Sequence, residues 1–167
     1  VNEVSQLDFE ETETYELTLQ VGDGISTDTA LVTVTLKDVN EAPLVKDQAF
    51  TVDDHSVNGD SVGTVLAGDP DSEYTLTYSI TDGNTGDVFA ISETTGEITV
   101  NDASLVDYEI ASRYTLTVQV SDQEPLNTTA TVTVNISDVD ESPRVTEGQV
   151  FSVSEGSGNG TSVGTVL

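Results

Sequence analysis

The chain has no cysteine, so no disulfide can staple its fold, although that absence does not exclude secretion. Positive charge is nearly missing too: four basic residues stand against 31 acidic ones, a formal charge of −27. A surface of that sign repels nucleic acid and anionic membrane and attracts multivalent cations. No apolar run approaches the length of a membrane span and no secretory leader is visible, so any anchor or export signal is expected outside these 167 residues. No segment carries a convincing 3.6-residue apolar period, which argues against helices. There is one histidine, His55, beside Asp53 and Asp54 in a polar stretch, where a simple exposed side chain is expected rather than a metal ligand or acid–base partner.

What is present is a β-forming chain. Hydrophobic residues make up 35%, with Val, Ile and Thr prominent, too many for a disordered acidic tail. Internal repetition then sets the organisation. Tyr15-Glu16-Leu17-Thr18-Leu19-Gln20-Val21 returns as Tyr114-Thr115-Leu116-Thr117-Val118-Gln119-Val120, and Leu7-Asp8-Phe9-Glu10 returns as Val106-Asp107-Tyr108-Glu109. Asp38-Val39-Asn40-Glu41-Ala42-Pro43 returns as Asp138-Val139-Asp140-Glu141-Ser142-Pro143, and Phe50-Thr51-Val52 as Phe151-Ser152-Val153. Ser61-Val62-Gly63-Thr64-Val65-Leu66 returns as Ser162-Val163-Gly164-Thr165-Val166-Leu167. The spacing is about a hundred residues, the size of a sandwich domain. The chain is therefore expected to hold the end of one repeat (1–43), a complete repeat (44–143) and the start of a third (144–167), a window on a longer array.

Strict alternation marks the strands. Tyr114, Leu116, Val118 and Val120 share one face, as do Ala130, Val132, Val134 and Ile136, and as do Tyr74, Leu76, Tyr78 and Ile80. Phe89 and Ile91 lead through Thr94-Thr95-Gly96 to Ile98 and Val100, a hairpin signal. Phe50 with Val52, and Val62 with Val65, complete roughly seven strands, read as an antiparallel two-sheet sandwich around one core. Each Val- or Leu-sized side chain buried there contributes roughly 1.5–3 kcal/mol. The segment from Leu7 to Leu36 has strand-forming sequence but no expected partner strands of its own, so its edges invite pairing with another molecule.

The acids cluster where the repeats meet. Asp38-Val39-Asn40-Glu41-Ala42 packs three oxygen-bearing side chains between a strand and Pro43, and Asp69-Pro70-Asp71 sets two carboxylates in a loop. Asp8 with Glu10, and Asp107 with Glu109, are expected on one side of an extended segment. Calcium takes six to eight oxygens from such mixtures of carboxylate, amide and backbone carbonyl. Without a cation, clustering these carboxylates costs folding energy through repulsion.

These motifs, taken in order, resemble the cadherin repeat family, in the divergent form found in large bacterial surface and adhesin-like proteins. The likeness runs through Asp69-Pro70-Asp71, Tyr78-Ser79-Ile80, Phe89-Ala90-Ile91, Thr95-Gly96-Glu97-Ile98, Asp107-Tyr108-Glu109 and Tyr114 to Asp122. It implies an all-β fold of tandem Greek-key sandwiches with calcium ions between successive repeats. The implied first junction uses Asp8 and Glu10 below, Asp38, Asn40 and Glu41 with the carbonyls of Val39 and Ala42 in the linker, and Asp69, Asp71 and Asp122 above. The implied second junction uses Asp54, Asp107 and Glu109 below and Asp138, Asp140 and Glu141 in the linker, with no upper acids before Leu167. It is therefore expected to fill less completely. The chain departs from the family linker at Glu41 and Glu141 (for Asp), Ala42 and Ser142 (for Asn), Asp140 (for Asn), and at Asp54, which stands for the usual Glu.

The resemblance implies an extracellular, non-enzymatic spacer or adhesion segment stiffened by Ca2+, with neighbouring repeats of the same chain as its first partners. The alternative is a module that binds a glycan or a second repeat. Sugar sites expose aromatic rings, whereas most of the five Tyr and four Phe here fall in the inward pattern. No catalytic constellation is visible. Three sequons, at Asn127, Asn135 and Asn159, are of the kind that arise by chance in Thr-rich chains, and Asn135 falls within a strand.

Overall fold

The computed structural model describes residues 7–71, 75–124, 126–143 and 145–167, so Tyr74 lies outside the described residues. A first hairpin is formed by β1 (Thr14–Gly22) and β2 (Thr27–Thr35). Beyond the linker follow β3 (Leu44–Val45), β4 (Gln48–Asp53), β5 (Ser61–Thr64), β6 (Ala67–Gly68), β7 (Thr77–Asp82), β8 (Phe89–Ile91), β9 (Glu97–Val100), β10 (Arg113–Ser121) and β11 (Asn127–Ser137). A four-stranded sheet in the order β4-β11-β10-β7 faces a three-stranded sheet in the order β5-β9-β8, with β3 and β6 forming a small ribbon beside them. The chain changes sheet between β4 and β5, returns by way of β6 to the first sheet at β7, and crosses again between β7 and β8 and between β9 and β10. Among the described residues the helical content is one short 3₁₀ turn, Ala103–Leu105, capped by the Asp102 side chain.

The inward sets are the ones that alternation assigns. Leu116, Val118 and Val120 of β10, Val132, Val134 and Ile136 of β11 and Val52 of β4 are buried, as are Val62, Val65, Phe89, Ile98 and Val100 from the facing side of the core. Phe89 meets Tyr114 edge to face at 5.3 Å, and the Tyr114 hydroxyl donates to the Leu105 carbonyl at 2.5 Å. Val88 joins the core beside Phe89, where strict alternation would have put it outside. The backbone there leaves regular pleating, because the Asn84 side chain accepts from Phe89 N and donates to Phe89 O. In the β8–β9 hairpin Gly96 takes a positive φ of 70°, the left-handed geometry such a turn requires.

Three expectations are corrected. The sandwich is not wholly antiparallel: β4 pairs with β11 in parallel, from Gln48 beside Val132 to Asp53 beside Ser137. A unit entered at one end and left at the other has first and last strands running the same way, so laid side by side they pair parallel. Alternation fixes which face a residue takes and says nothing of strand direction. Second, the segment 7–36 does have partner strands, because β1 and β2 pair with each other along their whole length. Tyr15 stands opposite Val34 and Leu17 opposite Val32, in the register that Tyr114 and Leu116 keep with Val134 and Val132. Their apolar face is nevertheless open: Leu17 is 46% exposed where its counterpart Leu116 is 0%. Third, residues 151–153 form no strand, since the counterpart β4 is held by β11 and 151–153 has no such neighbour.

Local devices nonetheless repeat. Gln48 brackets Leu66, donating to its carbonyl at 3.1 Å and accepting from its N–H at 3.0 Å. Gln149 does the same to Leu167, at 3.0 Å both ways. Each bracket brings an aromatic ring over a glycine. A Cβ on Gly63 would lie 2.3 Å from Phe50 Cδ1, and one on Gly164 would lie 2.0 Å from Phe151 Cδ1. The ring, not the turn, therefore requires glycine at position 63. Gly63→Ala is expected to cost about 1–3 kcal/mol in urea unfolding, as overpacking does. Gly68→Ala, where nothing lies within 4 Å, should leave the midpoint nearly unchanged.

Candidate metal centres

The linker between β2 and β3 gathers acids from three parts of the chain. Carboxylate oxygens of Glu10, Asp38, Glu41 and Asp71 all lie within 4.8 Å of one another. Asp71 and Asp122 are buried, the two charged residues in that state among the described residues. Backbone N–H groups fix them: Glu41 N donates to Asp71 Oδ2 at 2.9 Å, and Leu126 N to Asp122 Oδ1 at 3.0 Å. Asn40 Nδ2 donates to Asp122 Oδ2 at 2.9 Å, and Asp71 N to Asp69 Oδ1 at 3.0 Å. Asp122 is thus held by both oxygens, whereas Asn40, Asp69 and Asp71 are each held by one side-chain atom while another is left over. Asn40 Oδ1, Asp69 Oδ2 and Asp71 Oδ1 are enclosed and accept no hydrogen bond. A buried oxygen without a partner costs about 1–3 kcal/mol, more when charged, and three at one linker are oxygens of the kind a hard cation ligates. The donor set therefore fits calcium. Pro43 is buried at this linker, whereas Val39 is exposed.

The mutual repulsion shows in the acidities. Burial raises the Glu41 carboxyl above its ordinary value, helped by Glu10, Asp71, Asp38 and Asp8. Burial likewise raises Asp69, the Asp71 N–H opposing it and the charges of Asp71 and Asp122 adding to it. At Glu10 a backbone hydrogen bond pulls the carboxyl down, but desolvation and the charges of Asp38, Asp71 and Asp8 outweigh it and leave it raised.

The second linker is more open. Asp54 Oδ2 accepts from Val139 N at 3.4 Å, and Asp54 Oδ1 is enclosed without a partner. Glu109 is raised in the same manner as Glu10: a backbone hydrogen bond lowers it, while desolvation, Glu141, Asp138 and Asp107 prevail. Asp138, Asp140 and Glu141 are exposed, as is Pro143. The close group here is Asp54, His55 and Glu141. His55 is exposed as expected, yet it is not solitary, because its Nε2 lies 3.3 Å from Glu141 Oε1. No local pattern could reveal that partner, which comes from the next linker.

The Asp-x-Glu pairs also differ from expectation. They sit in turns, not extended segments: Glu11 N donates to Asp8 Oδ1 and Thr12 N to Asp8 O, at 3.0 and 2.9 Å. Asp107 repeats this with Ile110 N and Ala111 N. An Asp side chain that bonds its own downstream backbone competes with the extended form. Asn135 Nδ2 donates to Phe50 O at 3.2 Å, so that sequon nitrogen is engaged in the sheet.

The raised carboxyls set the pH response of the metal-free protein. Glu10, Glu41, Asp69 and Glu109 hold protons more tightly folded than unfolded. Their contribution to stability is therefore present at low pH and is lost as pH rises from about 4 through their folded values. In chelator, the melting temperature should fall as pH rises above the ordinary carboxylate range of about 4, whereas with millimolar calcium it should rise over the same interval, since the cation requires ionised ligands. Circular dichroism melts at each pH check this.

The family model for the cadherin domain matches residues 48–137, more than half of the chain. Human "Protocadherin Fat 1" is 38% identical over 152 residues, covering 85% of this chain and 3% of that protein. "Protocadherin-like wing polarity protein stan" of Drosophila melanogaster is 35% identical over 130 residues, covering 74% of this chain and 4% of that protein. Among solved structures, "Protocadherin Gamma B2 extracellular cadherin domains 1-5" superposes with a TM-score of 0.64 at 29% identity, over 87% of this chain and 29% of that one. The "human Desmocollin-1 ectodomain" gives 0.60 at 28% identity, over 79% of this chain and 27% of that one. This chain is thus a small part of the length of the relatives it matches. With a sandwich of this topology and a linker of this composition, it belongs to the cadherin family, and on that membership it is not an enzyme.

Proposed function

We propose that the chain is an extracellular, calcium-stiffened spacer and adhesion segment of a larger surface protein, with unit boundaries near residues 43 and 143. The bacterial setting rests on the divergent linkers alone. The observation that carries the calcium reading is the set of enclosed, unpartnered oxygens at the first linker: Asn40 Oδ1, Asp69 Oδ2 and Asp71 Oδ1. Calcium there would be held by Glu10, Asp38, Glu41 and Asp71, with Asp8, Asn40, Asp69, Asp122 and the carbonyls of Val39 and Ala42 completing the shell. At the second linker Asp54, Asp107, Glu109, Asp138, Asp140 and Glu141 would contribute oxygens to a further calcium site. The ion supplies the charge that lets these carboxylates ionise side by side, and so ties two repeats and their linker into one body.

A partner-binding reading is supported by one feature, the open apolar face of β1 and β2. A related solved structure is described as "Protocadherin gammaB7 EC3-6 cis-dimer structure". Glycan recognition has less support, since of the aromatic rings among the described residues only Tyr108 and Phe151 are large exposed apolar side chains.

A ligand that binds only the folded state at a hundredfold excess over its Kd adds about 2.7 kcal/mol of stability. Millimolar calcium should therefore raise the melting temperature well above its value in chelator. Asp71→Asn should remove most of that rise, and Glu93→Gln, at an exposed site away from both linkers, should keep it. Equal melting temperatures with and without calcium would remove the assignment.

A further inference from the structure

The geometry points to a mixed nitrogen–oxygen site at the second linker, made by Asp54, His55 and Glu141, that takes a borderline transition cation of the zinc class in the presence of calcium. It shares Asp54 and Glu141 with the calcium reading and rests on that reading in no other respect.

Three observations carry it. The first is the ligand set. One oxygen each from Asp54 and Glu141 and a ring nitrogen of His55 all lie within 4.8 Å of one another. Calcium and magnesium are hard cations that select oxygen, whereas imidazole nitrogen suits zinc, copper and nickel. The second is distance. Zinc binds nitrogen and oxygen at about 2.0–2.2 Å in a tetrahedron, whose ligand atoms then stand about 3.3–3.6 Å apart. His55 Nε2 and Glu141 Oε1 are 3.3 Å apart, so a cation can sit between them without displacing either. The third is an oxygen with nothing to do: Asp54 Oδ1 is enclosed and accepts no hydrogen bond, although the same carboxylate is anchored through Oδ2 to Val139 N. A plain ion pair of His55 with Glu141 would account for their distance and would leave that oxygen unexplained.

The surroundings favour entry of a cation. Asp54, His55 and Glu141 line one open cleft together with Asp107 and Glu109, so its field is negative and its mouth reaches solvent. Three protein ligands leave the fourth position of a tetrahedron to water or to a ligand from another molecule. The first linker offers no counterpart, because its close group is carboxylate only. The two linkers would then differ in kind: oxygen-only at the first, and open to a second class of metal at the other.

His55 is the single histidine of the chain, so its ring resonances report on this site alone. The test titrates zinc chloride into the full chain in millimolar calcium, followed by 1H–15N spectra of the imidazole and by calorimetry. The expected result is a saturable one-equivalent event that moves the ring nitrogens. His55→Ala and Asp54→Asn should each weaken it at least about tenfold, since loss of a group that merely supports a metal ligand already costs that much. His55→Ala should retain the calcium-dependent rise in melting temperature, which keeps the two readings separable. The proposal is overturned if zinc leaves the ring unmoved, if His55→Ala binds zinc equally well, or if millimolar calcium abolishes the event. Loss of the calcium response with survival of the zinc event would reject the calcium reading alone.

Discussion

Repulsion among carboxylates at the linkers is the constraint on which this structure turns. Four acids at the first linker converge within 4.8 Å, and three oxygens beside or among them are sealed from water without a donor. A chain free to relax would spread such charges into solvent. Here Asp71 and the neighbouring Asp8 and Asp122 are restrained by hydrogen bonds. Asp71 is held by Glu41 N, Asp122 by Leu126 N and by Asn40, and Asp8 by the turn it caps. The sandwich thus supplies the work of concentrating charge, and its core of buried Val, Ile and Leu is what can oppose the repulsion. The weakened acidities of Glu10, Glu41 and Asp69, raised by desolvation and by neighbouring carboxylates, are the visible sign that the metal-free arrangement is under electrostatic load.

The topology delivers those charges to the ends of the unit. Parallel pairing of β4 with β11 makes the chain enter at one end and leave at the other. Asp54 follows β4 directly and meets Val139, just beyond β11, through a backbone bond. The same parallel pair that organises the sheet therefore places an acid from the start of the repeat against the linker at its end. The Gln48 bracket serves the other end, fixing Leu66 just ahead of Asp69 and Asp71.

Much of this was legible in the sequence. Two-residue alternation named the buried faces of β10 and β11 correctly, since one face of each strand meets the core. The grouping of Asp38, Glu41, Asp71 and Glu10 is what the family resemblance implies, and the structure brings those four together. What escaped were features set by pairing between distant segments. Strand direction leaves no mark on alternation, so β4 beside β11 was read as antiparallel. Val88 entered the core because Asn84 bends the chain around Phe89, an effect outside any period. The turns at Asp8 and Asp107 did have a signal, an Asp followed three residues later by a free N–H, which was passed over in favour of extended pairing. His55 was taken as solitary because its neighbour in space, Glu141, is far away in sequence.

The two linkers share a motif and differ in setting, and the difference bears on mechanics. At the first, Pro43 is buried and two buried Asp residues approach the linker from the repeat that follows. At the second, Pro143 and all three linker acids are exposed, and the contact that reaches back is a histidine on a carboxylate. A linker closed on all sides by protein oxygens leaves its ion few water ligands and a small range of bending. On the calcium proposal, the stiffness of such a chain would then depend less on its sandwiches than on how many protein oxygens each linker gathers around its ion.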